Sequence, residues 1–169
     1  MKTDLEKGLA VFERLLEGEN PTAAVGCLYS IPKEYNNNYY KRVLNLLYEE
    51  HNTDKRSILF FLSDCSCKKA SDIVAFATDE QTEEYLRKDA IYVMGQCDDV
   101  LEYTKQFILW MKGDSRLIAR TALQVMIRTK AASDDLIEAY KWMWTKYEKD
   151  AEMRTSLQHA PSRLLSNWK

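Results

Sequence analysis

Apolar residues recur three and four positions apart along almost the whole chain, as in Leu5, Leu9, Phe12, Leu15 and Leu16. That spacing makes the stripe of an amphipathic helix, and no segment alternates as a half-buried strand does. The first helix is predicted to end at "EGENPT", a second to run near "AAVGCLYSI", and a third to follow "PKEYNNN" as "YYKRVLNLLYEEH". Further helices are expected from about Asp54, Ser71, Gln81, Asp98, Ser115, Asp134 and Ala151, with a short tail helix after Pro161. Asp54, Ser71, Ser115 and Asp134 are expected N-caps, because their side-chain oxygens can accept from the free amides of a first turn.

These helices repeat at a spacing of 32 residues. "KRSILFFLSDC" (55–65), "RKDAIYVMGQC" (87–97) and "ARTALQVMIRT" (119–129) align without a gap. Basic residues coincide at Arg56, Lys88 and Arg120. Apolar ones coincide at Ile58, Ala90 and Ala122, at Leu59, Ile91 and Leu123, at Phe61, Val93 and Val125, and at Leu62, Met94 and Met126. The following helices share "DDVLEY" (98–103) and "DDLIEAY" (134–140), so the repeating unit is a pair of helices.

"RKDAIYVMG", with "ARTALQVM" in support, resembles the first helix of HEAT-type helical repeats of the short variety: an arginine-containing turn, small and apolar residues, and a glycine near the end. "KRSILFFLS" keeps the basic residue but has Ile58 where the small alanine belongs. The resemblance covers residues 54–150 and extends to the first 50 only by helix pairing. It implies an all-α fold, a right-handed α-solenoid of nine or ten helices in antiparallel pairs, forming one domain over 1–169. The best repeats would be 54–80, 81–112 and 113–150, with capping helices over 151–169. Generic antiparallel helices are the alternative. In a solenoid the second helices line a continuous, usually concave, binding surface.

Composition agrees with helices and adds limits on function. With 169 residues, 46% of them apolar, one compact domain is expected. Five glycines and three prolines leave little material for sheet turns. No early apolar run reaches the ~20 residues of a membrane span, and the start "MKTDLEKGLAVFERL" is unlike a signal peptide, so a cytoplasmic protein of bacterial type is expected. The four cysteines are irregularly spaced and are read as reduced thiols. Cys65 and Cys97 share one repeat position near helix ends, where a small side chain packs under the next loop.

No residue set has the spacing of a catalytic, metal or phosphate site. The two histidines, His51 and His159, lie apart from the cysteines, and the glycines are isolated. "SDCSCKKASD" (63–72) is read as a repeat joint rather than a metal or redox motif. No cofactor, no small-molecule substrate and no enzymatic activity are expected.

Charge is small in total but uneven. From Ala70 to Glu102 there are nine acids and two bases, a local −7 within a total of −2, so the remainder carries +5. Asp72, Asp79, Glu80, Glu83, Glu84, Asp98, Asp99 and Glu102 are therefore candidate contacts for a basic partner. Helical phasing places Tyr103, Gln106 and Trp110 outside the stripe of Val100, Thr104, Phe107, Ile108 and Met111. It likewise places Glu138 and Trp142 outside the stripe of Leu136, Tyr140, Met143, Trp144 and Tyr147. Exposed tryptophan and tyrosine beside carboxylates are typical interface anchors. Basic residues after 115 are spread over several helix faces, which disfavours a nucleic-acid groove. In size, composition and helical form the chain is similar to bacterial immunity proteins that neutralise a cognate basic toxin, often a nuclease. That resemblance implies an inhibitor acting through the acidic, aromatic surface. A scaffold or adaptor subunit is the alternative, and a HEAT-like nucleic-acid-binding protein a more distant one.

Overall fold

The computed structural model describes residues 3–50 and 54–158, and all regular structure among them is helical. The predicted tail helix after Pro161, the capping segment beyond 158, and both histidines lie outside the described residues. The chain divides into two compact units, Met1–Lys68 and Lys69–Lys169.

The first unit holds α1 (Asp4–Arg14), α2 (Pro21–Cys27), α3 (Asn36–Leu47) and α4 (Lys55–Asp64). A reciprocal capping box starts α1: Glu6 N–H donates to Thr3 Oγ1 at 3.3 Å, and Thr3 N–H donates to Glu6 Oε2 at 2.7 Å. The "EGENPT" break is real. The chain leaves α1 through a wide turn in which Gly18 has φ +115°, a conformation that suits glycine, and Asn20 then caps α2 by accepting from Ala23 N–H. Packing of α3 on α4 buries Tyr39, Val43 and Leu47 with Ile58, Leu59 and Leu62, while Phe12 of α1 meets Tyr39 edge to face at 5.0 Å.

The second unit holds α5 (Ala70–Thr78), α6 (Glu84–Met94), α7 (Thr104–Lys112), α8 (Arg116–Thr129), α9 (Asp134–Lys146) and α10 (Ala151–Gln158), with a 3-10 turn over Val100–Tyr103 leading into α7. The main contacts are α5 with α6 and α7 with α8; α6 also packs on α8, α7 on α9, and α10 on both α8 and α9. Antiparallel pairing of α5 and α6 follows from bonds at both ends. Arg87 Nε donates to Ala77 O at 3.2 Å, and Ala70 N–H donates to Asp99 Oδ1 at 2.8 Å.

The 32-residue register is visible in burial. Ile58, Ala90 and Ala122, then Leu59, Ile91 and Leu123, then Phe61, Val93 and Val125, then Leu62, Met94 and Met126 are all core residues of their own units. Each large side chain buried in this way contributes about 1.5–3 kcal/mol, so the register outweighs any exposed ion pair on these helices. Cys65 and Cys97 also play one role: each buried thiol donates to the carbonyl four residues back, Cys65 to Phe61 O at 3.5 Å and Cys97 to Val93 O at 3.4 Å. Burial pushes the Cys65 thiol up to about 12, which keeps it protonated and unreactive at neutral pH. No disulfide joins the four cysteines.

Two of the four expected caps are as predicted. Asp54 accepts from Ser57 N–H at 3.1 Å and Ser115 from Ile118 N–H at 3.1 Å. Ser71 and Asp134 are not N-caps. Helix α5 begins one residue before Ser71, and Asp99 serves its first amides; Ser133 caps α9 by accepting from Leu136 N–H at 3.2 Å, leaving Asp134 in the first turn.

Gly95, the C-cap of α6, stands close against Val125 of α8: a Cβ on it would lie 2.5 Å from Val125 Cγ2 and 2.8 Å from Cγ1. Gly95 has an ordinary φ of −63°, so the demand on it is for space. A branched side chain has no flexible end to move aside. Gly95→Ala is expected to destabilise the second unit by about 1–3 kcal/mol. Combining it with Val125→Ala should cost less than the two single changes together, by about 0.5 kcal/mol or more in denaturant titrations. Strict additivity would contradict this contact.

Candidate protein-binding surface

The acidic run does not form one patch, because α6 separates it. This helix has 11 residues and is therefore about 16 Å long. Asp79, Glu80, Glu83 and Glu84 lie at its start, in the turn from α5. Asp98, Asp99 and Glu102 lie beyond its end, with Asp72 beside them at the start of the antiparallel α5.

Several of these carboxylates are engaged in the fold. Asp79 organises the α5–α6 turn, accepting from Gln81 N–H at 3.0 Å and Thr82 Oγ1–H at 3.1 Å. Glu84 accepts from the Ser115 hydroxyl and so ties the start of α6 to that of α8. Asp99, 29 residues from its partner, accepts from Ala70 N–H at 2.8 Å and Ser71 N–H at 3.4 Å. It is thus the cap of α5 supplied by a distant loop. Asp72 is half-buried, whereas Glu80 and Glu83 at one end of α6, Asp98 and Glu102 at the other, and Glu138 on α9 are exposed.

A groove of about 470 Å³ opens at the Glu80 end. Thr78, Glu80 and Arg87 line one side; Gln106, Leu109 and Trp110 of α7 line the other, and the Gly113–Ser115 turn closes it. Phasing places Trp110 outward or to the side of the core stripe, with packing between repeats as the alternative, and the structure buries it. It is 6% exposed and packs edge to face on Phe107 at 5.2 Å, so it forms the groove wall instead of projecting from it. Tyr103 and Gln106 are half-buried. Trp142 is half-buried too, with Lys146 Nζ 4.5 Å from its ring centre. The same ammonium donates to Gly113 O at 3.0 Å and lies 3.5 Å from Asp114, which links Trp142 to the groove's closing turn.

The groove can therefore take a cationic side chain with an apolar stem: Glu80 and Asp114 supply carboxylates, while Leu109, 63% exposed, and the Trp110 ring supply apolar surface. Leu109 and Asp114 were missed by the sequence reading. Leu109 had a signal, being an apolar residue off the stripe of α7, but Asp114 was hidden in the turn "KGDS".

Several bases of the second unit are already engaged. Arg116 holds Asp150 at 2.5 and 3.0 Å and Glu152 at 2.7 Å, and Arg120 also meets Glu152. The Arg116 guanidinium, helped by Met153 N–H, brings the Asp150 carboxyl down to about 2, and Glu152 is lowered by the same arginine. Arg128 lies 5.3 Å from the Tyr92 ring centre and Arg154 4.1 Å from that of Trp144.

Among the described residues no group of histidines, cysteines and acids could hold a metal ion, and no helix is long and apolar enough to cross a membrane. Comparison with protein-family models, with curated proteins and with solved structures gives no match.

The distant cap has a direct test. Asp99→Ala should cost about 0.5–2 kcal/mol in denaturant unfolding, while Ser71→Ala should stay within about 0.5 kcal/mol of the parent. Equal losses in the two variants would return the cap to Ser71.

Proposed function

We propose that this chain is a non-catalytic protein-binding module of HEAT-like helix pairs that captures one basic protein at the groove beside Glu80. The partner class is a cognate toxin domain, above all a nuclease, and the role is that of a cytoplasmic immunity or inhibitor protein. The carrying observation is the groove itself. The exposed carboxylates of Glu80 and Asp114 line it together with apolar surface from Leu109 and Trp110, and exposed Glu83 follows Glu80 in the same turn. Such a surface would attract a cation-rich cleft from a distance and hold its side chains on contact.

The solenoid reading draws support from the order of contacts in the second unit. Helix α8 packs beside α6 and α10 beside α8, while α9 packs beside α7, as successive units of a repeat array would. The engagement of Arg116, Arg120 and Lys146 by carboxylates weighs against a nucleic-acid groove, which needs several clustered bases free to meet phosphates.

The test uses two charge-reversal pairs chosen to spare the carboxylates that the fold needs. Glu80→Lys with Glu83→Lys should slow association with the one-to-one partner at least tenfold at low salt, and the parent rate should fall as ionic strength rises. Asp98→Lys with Glu102→Lys should change it little. The reverse ranking would move the interface to the other end of α6, and an association rate independent of salt would sink the electrostatic reading.

A further inference from the structure

The first unit has a second, independent concavity that the acidic surface does not involve. A pocket of about 270 Å³ is walled by Leu28, Ile31 and Phe61 and flanked by Tyr29 and Phe60, whose rings lie 5.6 Å apart and tilted by 40°. Both rings are more than half exposed, at 65% and 55%, although neighbouring residues of the same elements are fully buried. An apolar cavity of about 150 Å³ admits one benzene ring. The larger space therefore suits a bicyclic one.

Its polar groups specify what the ring must carry. Asn36 also lines the pocket, is 3% exposed, and has a buried Oδ1 with no hydrogen-bond partner. An amide oxygen withdrawn from water in this way is an acceptor left waiting for a donor. The nearby hydroxyls offer no spare hydrogen. Ser57 Oγ–H donates to Asp54 Oδ2 at 2.6 Å, so the Tyr29 hydroxyl is the donor in its 3.0 Å bond to Ser57. Lys33 and Asp64 pair with each other at 3.1 Å, so the charges in the lining cancel and favour a neutral guest.

We propose that this pocket binds one neutral aromatic ring carrying a hydrogen-bond donor, of the indole type, with the ring against Phe60 and Tyr29 and its N–H given to Asn36 Oδ1. The guest is either a free small molecule or a tryptophan side chain of a polypeptide. The site lies wholly in the first unit and stands or falls separately from the proposed partner groove.

The full chain is titrated with indole and with 1-methylindole, which has the same ring without the donor, and followed by calorimetry and aromatic NMR shifts. Saturable one-to-one binding of indole with a dissociation constant on the order of 0.1–1 mM is expected for a ligand this small. 1-Methylindole should bind about tenfold more weakly, because it leaves Asn36 unpaired. Phe60→Ala should weaken both ligands, and Asn36→Leu should abolish the difference between them. No saturation by several millimolar, equal affinities in the parent chain, or an unaffected Phe60→Ala variant would each overturn the proposal. Should Asn36→Leu fail to fold, the two ligands on the parent chain still decide. N-acetyltryptophanamide binding more tightly than indole assigns the site to a polypeptide side chain, and the opposite order assigns it to a free small molecule.

Discussion

The second unit depends on how closely α6 and α8 can approach. At Gly95 the two meet with only hydrogen between backbone and the Val125 methyls, and Ala90, Ile91, Val93 and Met94 of α6 are buried where it packs on α5 and α8. A side chain at Gly95 would push the helices apart and lift those residues out of contact together. Much else is fixed by that approach. Glu84 reaches the Ser115 hydroxyl across the starts of the same two helices, and the Gly113–Ser115 turn is thereby held where it can close the Glu80 groove.

The repeat was legible because it rests on burial, which leaves a periodic mark. Positions equivalent at a spacing of 32 proved to be core in all three helices, down to the two cysteines that make the same backward bond. The caps were only half legible, since Asp54 and Ser115 act locally, whereas Asp99 acts on a helix start 29 residues away that no local window contains. The acidic run misled in a related way: neighbours in sequence fall at opposite ends of α6, and three of the acids are bound into turns and helix starts. Trp110 was misplaced because phasing assumes one buried stripe per helix, while α7 packs on both α8 and α9 and so buries a wider face. The aromatic pocket of the first unit left no trace in the pattern, because its walls join a repeat helix, α4, to the stretch at 28–36, which lies outside the repeats.

Helices and loops thus divide the work. The helices spend their apolar residues on a regular core, and the surface chemistry falls to what they leave over: Glu80 and Glu83 in one turn, Asp114 in another, and Leu109 on the free side of α7. Asp150 and Glu152 meet Arg116, and Asp114 meets Lys146, whereas Glu80 and Glu83 present exposed carboxylates at the start of α6. On the proposed function, that local cluster of exposed acid is what a basic protein would read.

Amide hydrogen exchange of the chain alone and in its one-to-one complex decides whether the groove beside Glu80 receives the partner. Slower exchange is expected in the complex over residues 78–87 and 106–115, with little change over 98–103. Protection confined to 98–103, or to the first unit, would contradict it.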